Sequence, residues 1–339
     1  MLAALAVVTA GLLAFHRAVP NSVGHLGSLL EQFLPWLGLV VVALLVLALV
    51  RRSAAALVTL LLPVAAWTYF CGGLLLSGKA PGAHDLVVVQ HNVSDVNTDP
   101  AGTARSLADA GPDLIALEEL VPVARPVYDK TLAPRYPYHA VRGTVGLWSK
   151  HPLTDCRMVD IKPRGITKSW ERGLRAVAHT PRGEIAVYVA HLPSVRVGAS
   201  GLGSTWRDDS ARMLGQAVAA EKLKQVILLG DLNSTVDDRG LAPLTSRMNT
   251  AERGFAFSFP AAFPVARIDQ VMARAATVTQ IRTLPETGSD HLPVAARIAL
   301  DQGVSRGRHR RPAAAGHHVR TAGRRAVRAP GTTPGPRHR

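Results

Sequence analysis

Residues 33–50 read FLPWLGLVVVALLVLALV, eighteen residues without a formal charge. After the pair Arg51 and Arg52 the chain runs apolar again from about residue 54 to residue 76. A helix of about 20 apolar residues crosses a bilayer, so both stretches predict membrane spans. The opening MLAALAVVTAGLLAF is shorter and raises a signal peptide as the alternative. It has no Lys or Arg ahead of its apolar run and no clean A-x-A-like site behind it, which favours a short first span over roughly 2–15. Residues 1–82 therefore form an expected membrane anchor of about three helices.

Short basic loops stay in the cytoplasm, so Arg51 and Arg52 place the turn between spans two and three inside. Everything after residue 82 then lies outside the cytoplasm, and Arg17 is a mild argument for the opposite orientation. The expected location is a multi-pass cell-membrane protein with an extracytoplasmic domain. Cys71 and Cys156 are too few for a disulfide framework and read as unpaired small hydrophobes.

The formal charge of +15 suggests nucleic acid until it is divided along the chain. Residues 301–339 hold ten Arg and one Asp, a net +9, and residues 1–82 carry +3, which leaves +3 for 83–300. The tail is rich in Arg, Pro and Gly and poor in large apolar residues, so disorder is expected there. Its charge suits anionic lipid or cell-wall polyanions, and suits a freely solvated tail as well.

Between 83 and 300 short apolar runs recur with turn signals between them: DLVVVQHNV, PDLIALEEL, GTVGLWSK, LRAVAHT, GEIAVYVAHLPS, QVILLGDLNS, ARIDQVMAR and LPVAARIAL. Asp99 before Pro100 predicts a helix start. STWRDDSARMLGQAVAAEKLK predicts a second helix, with GLGS at 201–204 a flexible connection before it. These runs predict an α/β domain rich in strands. Polar residues fall repeatedly at the C-terminal ends of the runs: Asn92, Glu119, His191, Asp231 and Asn233. Strand ends can gather side chains from distant sequence into one cleft.

In order, the chain reads QHNV, IALEEL, AHLPS, GDLN, RIDQ and SDHLPV. This series resembles the endonuclease/exonuclease/phosphatase superfamily, the fold of DNase I, over roughly residues 85–300. The resemblance implies a four-layer αββα sandwich with the site at one end. It also implies roles. Glu119 aligns with a metal-ligating Glu, and Glu118 stands where the family has Gln. His291 is the expected base, oriented by Asp269 of the R-x-D motif, and Asp290 faces the metal. Asp231 positions the attacking water, Asn233 donates to a phosphoryl oxygen, and His191 stabilises developing charge or assists the leaving group. Which histidine acts as base is left open.

Chemistry argues the same way. Phosphate esters resist anionic nucleophiles, so hydrolysis needs a divalent cation, a base and donors for the oxygens. Oxygen donors such as Glu119, Asn92 and Asp290 suit Mg²⁺, with Mn²⁺ as a substitute. There is no G-x-S-x-G, GxxxxGK[ST] or H-E-x-x-H motif. A nearly neutral domain lacks the basic surface of a duplex-DNA binder, and tethering confines the site to the membrane surface. The expected substrate is a phosphorylated lipid or lipid pyrophosphate, with membrane lipids as surroundings and no protein partner inferable. The arrangement of spans and domain is similar to VanJ-type proteins of actinobacteria, which implies an undecaprenyl pyrophosphate-like substrate and a link to teicoplanin resistance. A membrane-tethered nuclease acting on nucleic acid is the alternative. A non-catalytic envelope-binding protein is disfavoured by the eight retained site residues.

Overall fold

The computed structural model describes residues 1–76, 83–199 and 201–301. The expectation of a disordered tail lies outside these residues, except for Asp301. Residues 1–301 form one compact unit.

Strands β1 (Leu86–Asn92), β2 (Leu114–Glu118), β3 (Tyr138–Arg142) and β4 (Val145–Ser149) belong to a six-stranded sheet, together with β12 (Ala276–Thr283) and β13 (Val294–Leu300). Its order is β12-β13-β1-β2-β4-β3. A five-stranded sheet combines β5 (Leu153–Met158), β6 (Gly173–Thr180), β7 (Gly183–Ala190), β10 (Val226–Asp231) and β11 (Asp269–Arg274), in the order β11-β10-β7-β6-β5. The residues between β7 and β10 include a small ribbon of β8 (Val197–Gly198) and β9 (Gly201–Leu202).

The near-continuous apolar runs are explained by burial on both faces of each sheet. Val88 of β1, Leu114 and Ala116 of β2, and Ile227 and Leu229 of β10 meet in the core between the sheets. Their alternate neighbours Val89, Ile115 and Leu117 face helices α6 (Pro100–Asp109) and α7 (Arg125–Leu132). Leu228 and Met272 face α8 (Thr205–Ala219) and α9 (Ala242–Thr245). The layers are helix, sheet, sheet, helix, which agrees with the expected mixed α/β sandwich. The predicted start of α6 is present, with the Asp99 side chain accepting from Gly102 N. Helix α8 stops at Ala219, short of its sequence pattern, because Glu221 turns aside to pair with Arg175 at 3.0 Å. GLGS is not a plain flexible connection: Gly201 and Leu202 form β9, and Ser204 bonds to His25 and Asp208.

The N-terminal region contains α1 (Leu2–Ala14), α2 (Leu26–Gln32), α3 (Leu37–Val50), α4 (Ala54–Thr59) and α5 (Leu61–Leu75). Ala54–Leu75 is long and apolar enough to cross a membrane, whereas Leu2–Ala14 is shorter. The apolar helix Leu34–Val50 lies within the stretch 33–50 and meets the preceding Leu26–Gln32 at 67°. Pro35 cannot donate into a continuing helical ladder, which accounts for the break. Ala6, Val41, Leu44, Ala48, Ala56 and Leu60 form a separate small core among these helices.

The segment between α1 and α3 is packed onto the sandwich. Buried Glu31 pairs with Arg239 at 2.8 Å, and Arg239 also donates to the carbonyls of Val19 and His16. Gln32 donates to Ser234 and Asp238, and Trp36 Nε1 donates to the Val265 carbonyl at 2.8 Å. These contacts hold α2 against the loops that follow β10 and precede β11.

Candidate active site

Side chains on a strand alternate, so each inward-facing column carries apolar residues and then whatever comes two positions later. In β1 the column Val88, Gln90, Asn92 becomes polar at its end. In β2 it is Ala116 then Glu118, in β10 Leu229 then Asp231, and past β7 it is Val189 then His191. Asp269 opens β11 opposite Asp231 in the pairing register. The two-residue period that fills the core therefore collects Asn92, Glu118, His191, Asp231 and Asp269 at one end of the sandwich, all buried.

His291 Nδ1–H donates to Asp269 Oδ2 at 2.8 Å, and its Nε2 lies 3.8 Å from Asp231 Oδ2. Asp269 Oδ1 accepts from Gln90 Nε2 at 2.9 Å, and the same Nε2 lies 2.8 Å from Glu118 Oε2. Asp269, Asp231 and Asp290 raise the His291 imidazole to about 10 against the opposing effect of burial. Burial, with the nearby Asp269, raises the Asp231 carboxyl to about 7.

Asp231 is held by two further donors, Asn92 Nδ2 at 3.0 Å and Asn233 N at 2.9 Å. Its Oδ2 is 3.7 Å from His191 Nε2. Burial and then the nearby Arg172 guanidinium push His191 down to about 3, so the ring is neutral. Arg172 Nη1 approaches His191 Nδ1 at 3.3 Å. A guanidinium only donates, so Nδ1 must accept and the ring proton sits on Nε2, facing the site. Sequence reading missed Arg172; the arginine of ERGL at the start of β6 carried no signal without its neighbour across the sheet.

Glu118 and Glu119 separate sharply. Glu118 is fully buried, and burial, reinforced by Asp269, raises its carboxyl well above the ordinary range. Its Oε1 and the Oε1 of Gln90 have no hydrogen-bond partner among the described residues. Glu119 follows the end of β2 with φ 59, a left-handed conformation that turns it into the cleft. Its side chain is 30% exposed and its Oε1 lies 3.8 Å from His191 Nε2. Ser94 and Asn233, with φ 61 and 49, take the same conformation just past β1 and β10. Such backbone strain concentrates at functional sites. Glu118→Gln should therefore leave activity within a few-fold of wild type. The raised carboxyl contributes stability below about pH 4.5 that is lost as pH rises through its folded pKa. The variant should gain stability over wild type as pH rises, by about 1 kcal/mol or more, read by denaturant titration across pH.

One cleft of about 440 Å³ contains Asn92, Glu119, Asp231, Asn233, Asp290 and His291 among its lining residues. His191 reaches it through Asp231 and Glu119, and Asp269 stands behind His291. All eight sequence-selected residues thus come together. The Asn233 amide spends one N–H on the Leu192 carbonyl, leaving a second. Asp290 is exposed.

The donor set fits a hard divalent cation. Glu119, Asp231 and Asp290 offer carboxylate oxygens and Asn92 an amide oxygen, although that oxygen already accepts from Ser94 N at 3.0 Å. Cys71 and Cys156 are free thiols in α5 and β5, away from this group. Ligand atoms of Asp231, Asp269 and His291 lie within 4.8 Å of one another. Asp269 and His291 spend their facing atoms on each other, so Asp231 is the member of that trio free to join Glu119 at an ion.

The family model for the Endonuclease/Exonuclease/phosphatase family matches residues 89–291. Beta toxin from Staphylococcus aureus is similar in fold, with 15% identity over 62% of this chain and 99% of its own and a TM-score of 0.51. A double mutant of the same toxin with bound magnesium ions matches at 14% identity, over 63% and 99% of the two chains and with TM-score 0.51. D. rerio TDP2 complexed with a single-strand DNA product matches at 19% identity, covering 63% and 98%, with TM-score 0.51. No curated protein sequence matches this chain. With the family model spanning most of the sandwich and its acid, base and oxygen-donor groups assembled at one end, the chain belongs to the endonuclease/exonuclease/phosphatase family and is a metal-dependent hydrolase of phosphoester bonds.

Proposed function

We propose that this protein is a membrane-anchored, extracytoplasmic phosphatase acting on a lipid-linked phosphate or pyrophosphate, with an undecaprenyl pyrophosphate-like substrate and a role in the cell envelope and in resistance to teicoplanin-like glycopeptides. The observation that carries this reading is the packing of the N-terminal segment. Gln32 and Phe33, at the break that leads into α3, line the same cleft as Asp231 and His291. A phosphate on a lipid in the bilayer would meet the site where the apolar helices meet the sandwich.

The orientation is supported by geometry as well as by charge. Trp36, at the start of α3, is bonded to the sandwich, while Arg51 and Arg52 follow the other end of that fourteen-residue helix. A helix of this length separates its ends by about 20 Å. The basic turn on the cytoplasmic side then sets the sandwich outside.

Glu119, Asp231 and Asp290, with Asn92, would hold Mg²⁺, which would offset phosphate charge and polarise its oxygens. His191 offers Nε2–H to a phosphoryl oxygen. Asp231 and His291 are the groups placed to move a proton at an attacking water, with Asp269 fixing the His291 ring.

The test is a substrate panel for the purified full-length protein in detergent with Mg²⁺: undecaprenyl pyrophosphate, phosphoinositides and plasmid DNA, each with an EDTA control. Phosphate release from the polyprenyl substrate, abolished by EDTA, is expected. Cleavage of DNA without phosphate release from either lipid would replace the reading with the membrane-tethered nuclease.

A further inference from the structure

We infer that the catalytic cleft carries a built subsite for the hydrocarbon chain of its substrate, made jointly by the N-terminal segment and the β8–β9 ribbon. This rests on the lipid-phosphate reading above and adds where the chain lies.

The lining of the cleft joins the carboxylates and His291 to Phe33, Val195, Val197, Leu202, Val265 and Ile268. These six form an apolar wall, aliphatic apart from Phe33. Arg196, Phe259 and Pro260 also line the cleft, with Phe259 packed on the His291 ring at 4.8 Å. Phe33 is 44% exposed and Val197 68% exposed, beside a centre that must admit a phosphate. Apolar side chains left open to water next to a charged site cost free energy unless a ligand covers them.

The wall is held in place from several directions. Leu202 N donates to the Gly24 carbonyl at 2.9 Å, and a side chain at Gly201 would collide with the Gly24 backbone. Ser204 Oγ bonds to His25 Nδ1 at 3.0 Å. Trp36 Nε1 fixes Val265 through its carbonyl. The ribbon and the segment ahead of α3 are therefore joined by hydrogen bonds into one lip.

The occupant follows from continuity. The wall and the phosphate-binding groups line one cavity, so a ligand filling both has a phosphate at one end and hydrocarbon beside it. Phe33 sits at the break that leads directly into α3, so the apolar wall leads towards the helices that would lie in the bilayer. Five of the six wall residues are aliphatic, which suits an isoprenoid or acyl chain.

The experiment compares kcat/KM for undecaprenyl diphosphate and isopentenyl diphosphate, using full-length protein in detergent with Mg²⁺. Phe33→Ser and Val197→Ser are each expected to lower the ratio of long-chain to short-chain kcat/KM by about tenfold, chiefly through KM for the long chain. Met158→Ser, at an exposed apolar residue of edge strand β5 outside the cleft, is expected to leave the ratio unchanged. Val197 is exposed on the ribbon, so its variant tests the wall without a demand on core packing. If wild type hydrolyses the long-chain substrate and either cleft variant keeps the wild-type ratio, the subsite is overturned while the lipid-phosphatase reading stands. If wild type hydrolyses neither diphosphate, the functional reading falls and takes the subsite with it.

Discussion

Asp269→Asn is expected to lower kcat by about 10²- to 10⁴-fold while leaving the protein folded. The carboxylate accepts from His291 Nδ1–H at 2.8 Å and from Gln90 at 2.9 Å. An amide of the same shape can turn its NH₂ towards Nδ1, which then has to accept, and the ring proton moves to Nε2. The ring then loses both the charge partner that holds it protonated and the contact that fixes it beside Asp231. Steady-state kinetics with Mg²⁺ reads this loss, and an unchanged kcat would remove His291 from proton transfer.

The same variant has a signature in stability. The folded pKa of His291 is raised from an ordinary 6.5 to about 10. The native state therefore binds the extra proton between those values, and its contribution is fully present below pH 6.5 and lost as pH rises through about 10. Wild-type stability in EDTA should fall across that window. In Asp269→Asn the slope should flatten, because the charge and hydrogen bond that do most to raise the pKa are gone. Urea titrations at several pH values measure both.

Glu119→Gly should have the second large effect, in opposite directions on activity and stability. Removing a carboxylate that offers oxygen to a divalent cation is expected to cost several kcal/mol of transition-state stabilisation, about 10³-fold in kcat/KM. Glu119 holds φ 59, where a side chain is strained and glycine is not. Relief of that strain should stabilise the metal-free fold by about 1 kcal/mol, as read by denaturant titration in EDTA. A residue kept for structure would lose stability on this change. Glu118→Gln, one position away, is expected to leave activity within a few-fold of wild type, and the contrast between the two in activity tests which carboxylate serves the site.

Much of the fold was legible because its strands are buried on both faces. The apolar runs from DLVVVQHNV to LPVAARIAL became β1, β2, β4, β6, β7, β10, β11 and β13. β3, β5 and β12 were not anticipated; they lie at sheet edges, where exposed residues such as Thr154, Asp155 and Arg282 blur the pattern. The attachment of the residues around the start of the 33–50 stretch was not legible, because apolar composition does not record that Gln32 and Trp36 bind the sandwich.

The site divides in the same way. The sequence by itself determined which residues stand at the ends of the inward columns, since a two-residue period continues through Val88, Gln90 and Asn92 or Leu229 and Asp231 whatever lies across the sheet. Only the tertiary structure decided their roles. Alternation alone would have put Glu118 in the cleft and Glu119 outside it; the left-handed turn after β2 exchanged them, and a backbone conformation of that kind is not written in residue type. Arg172 fixes the proton of His191 from a neighbouring strand, nineteen positions away in the chain. Gln32 and Phe33 reach a cleft whose remaining lining residues begin at Asn92 because α2 is anchored by Glu31 to Arg239. Each depends on a contact between distant segments, and such contacts exist only once the chain has closed on itself.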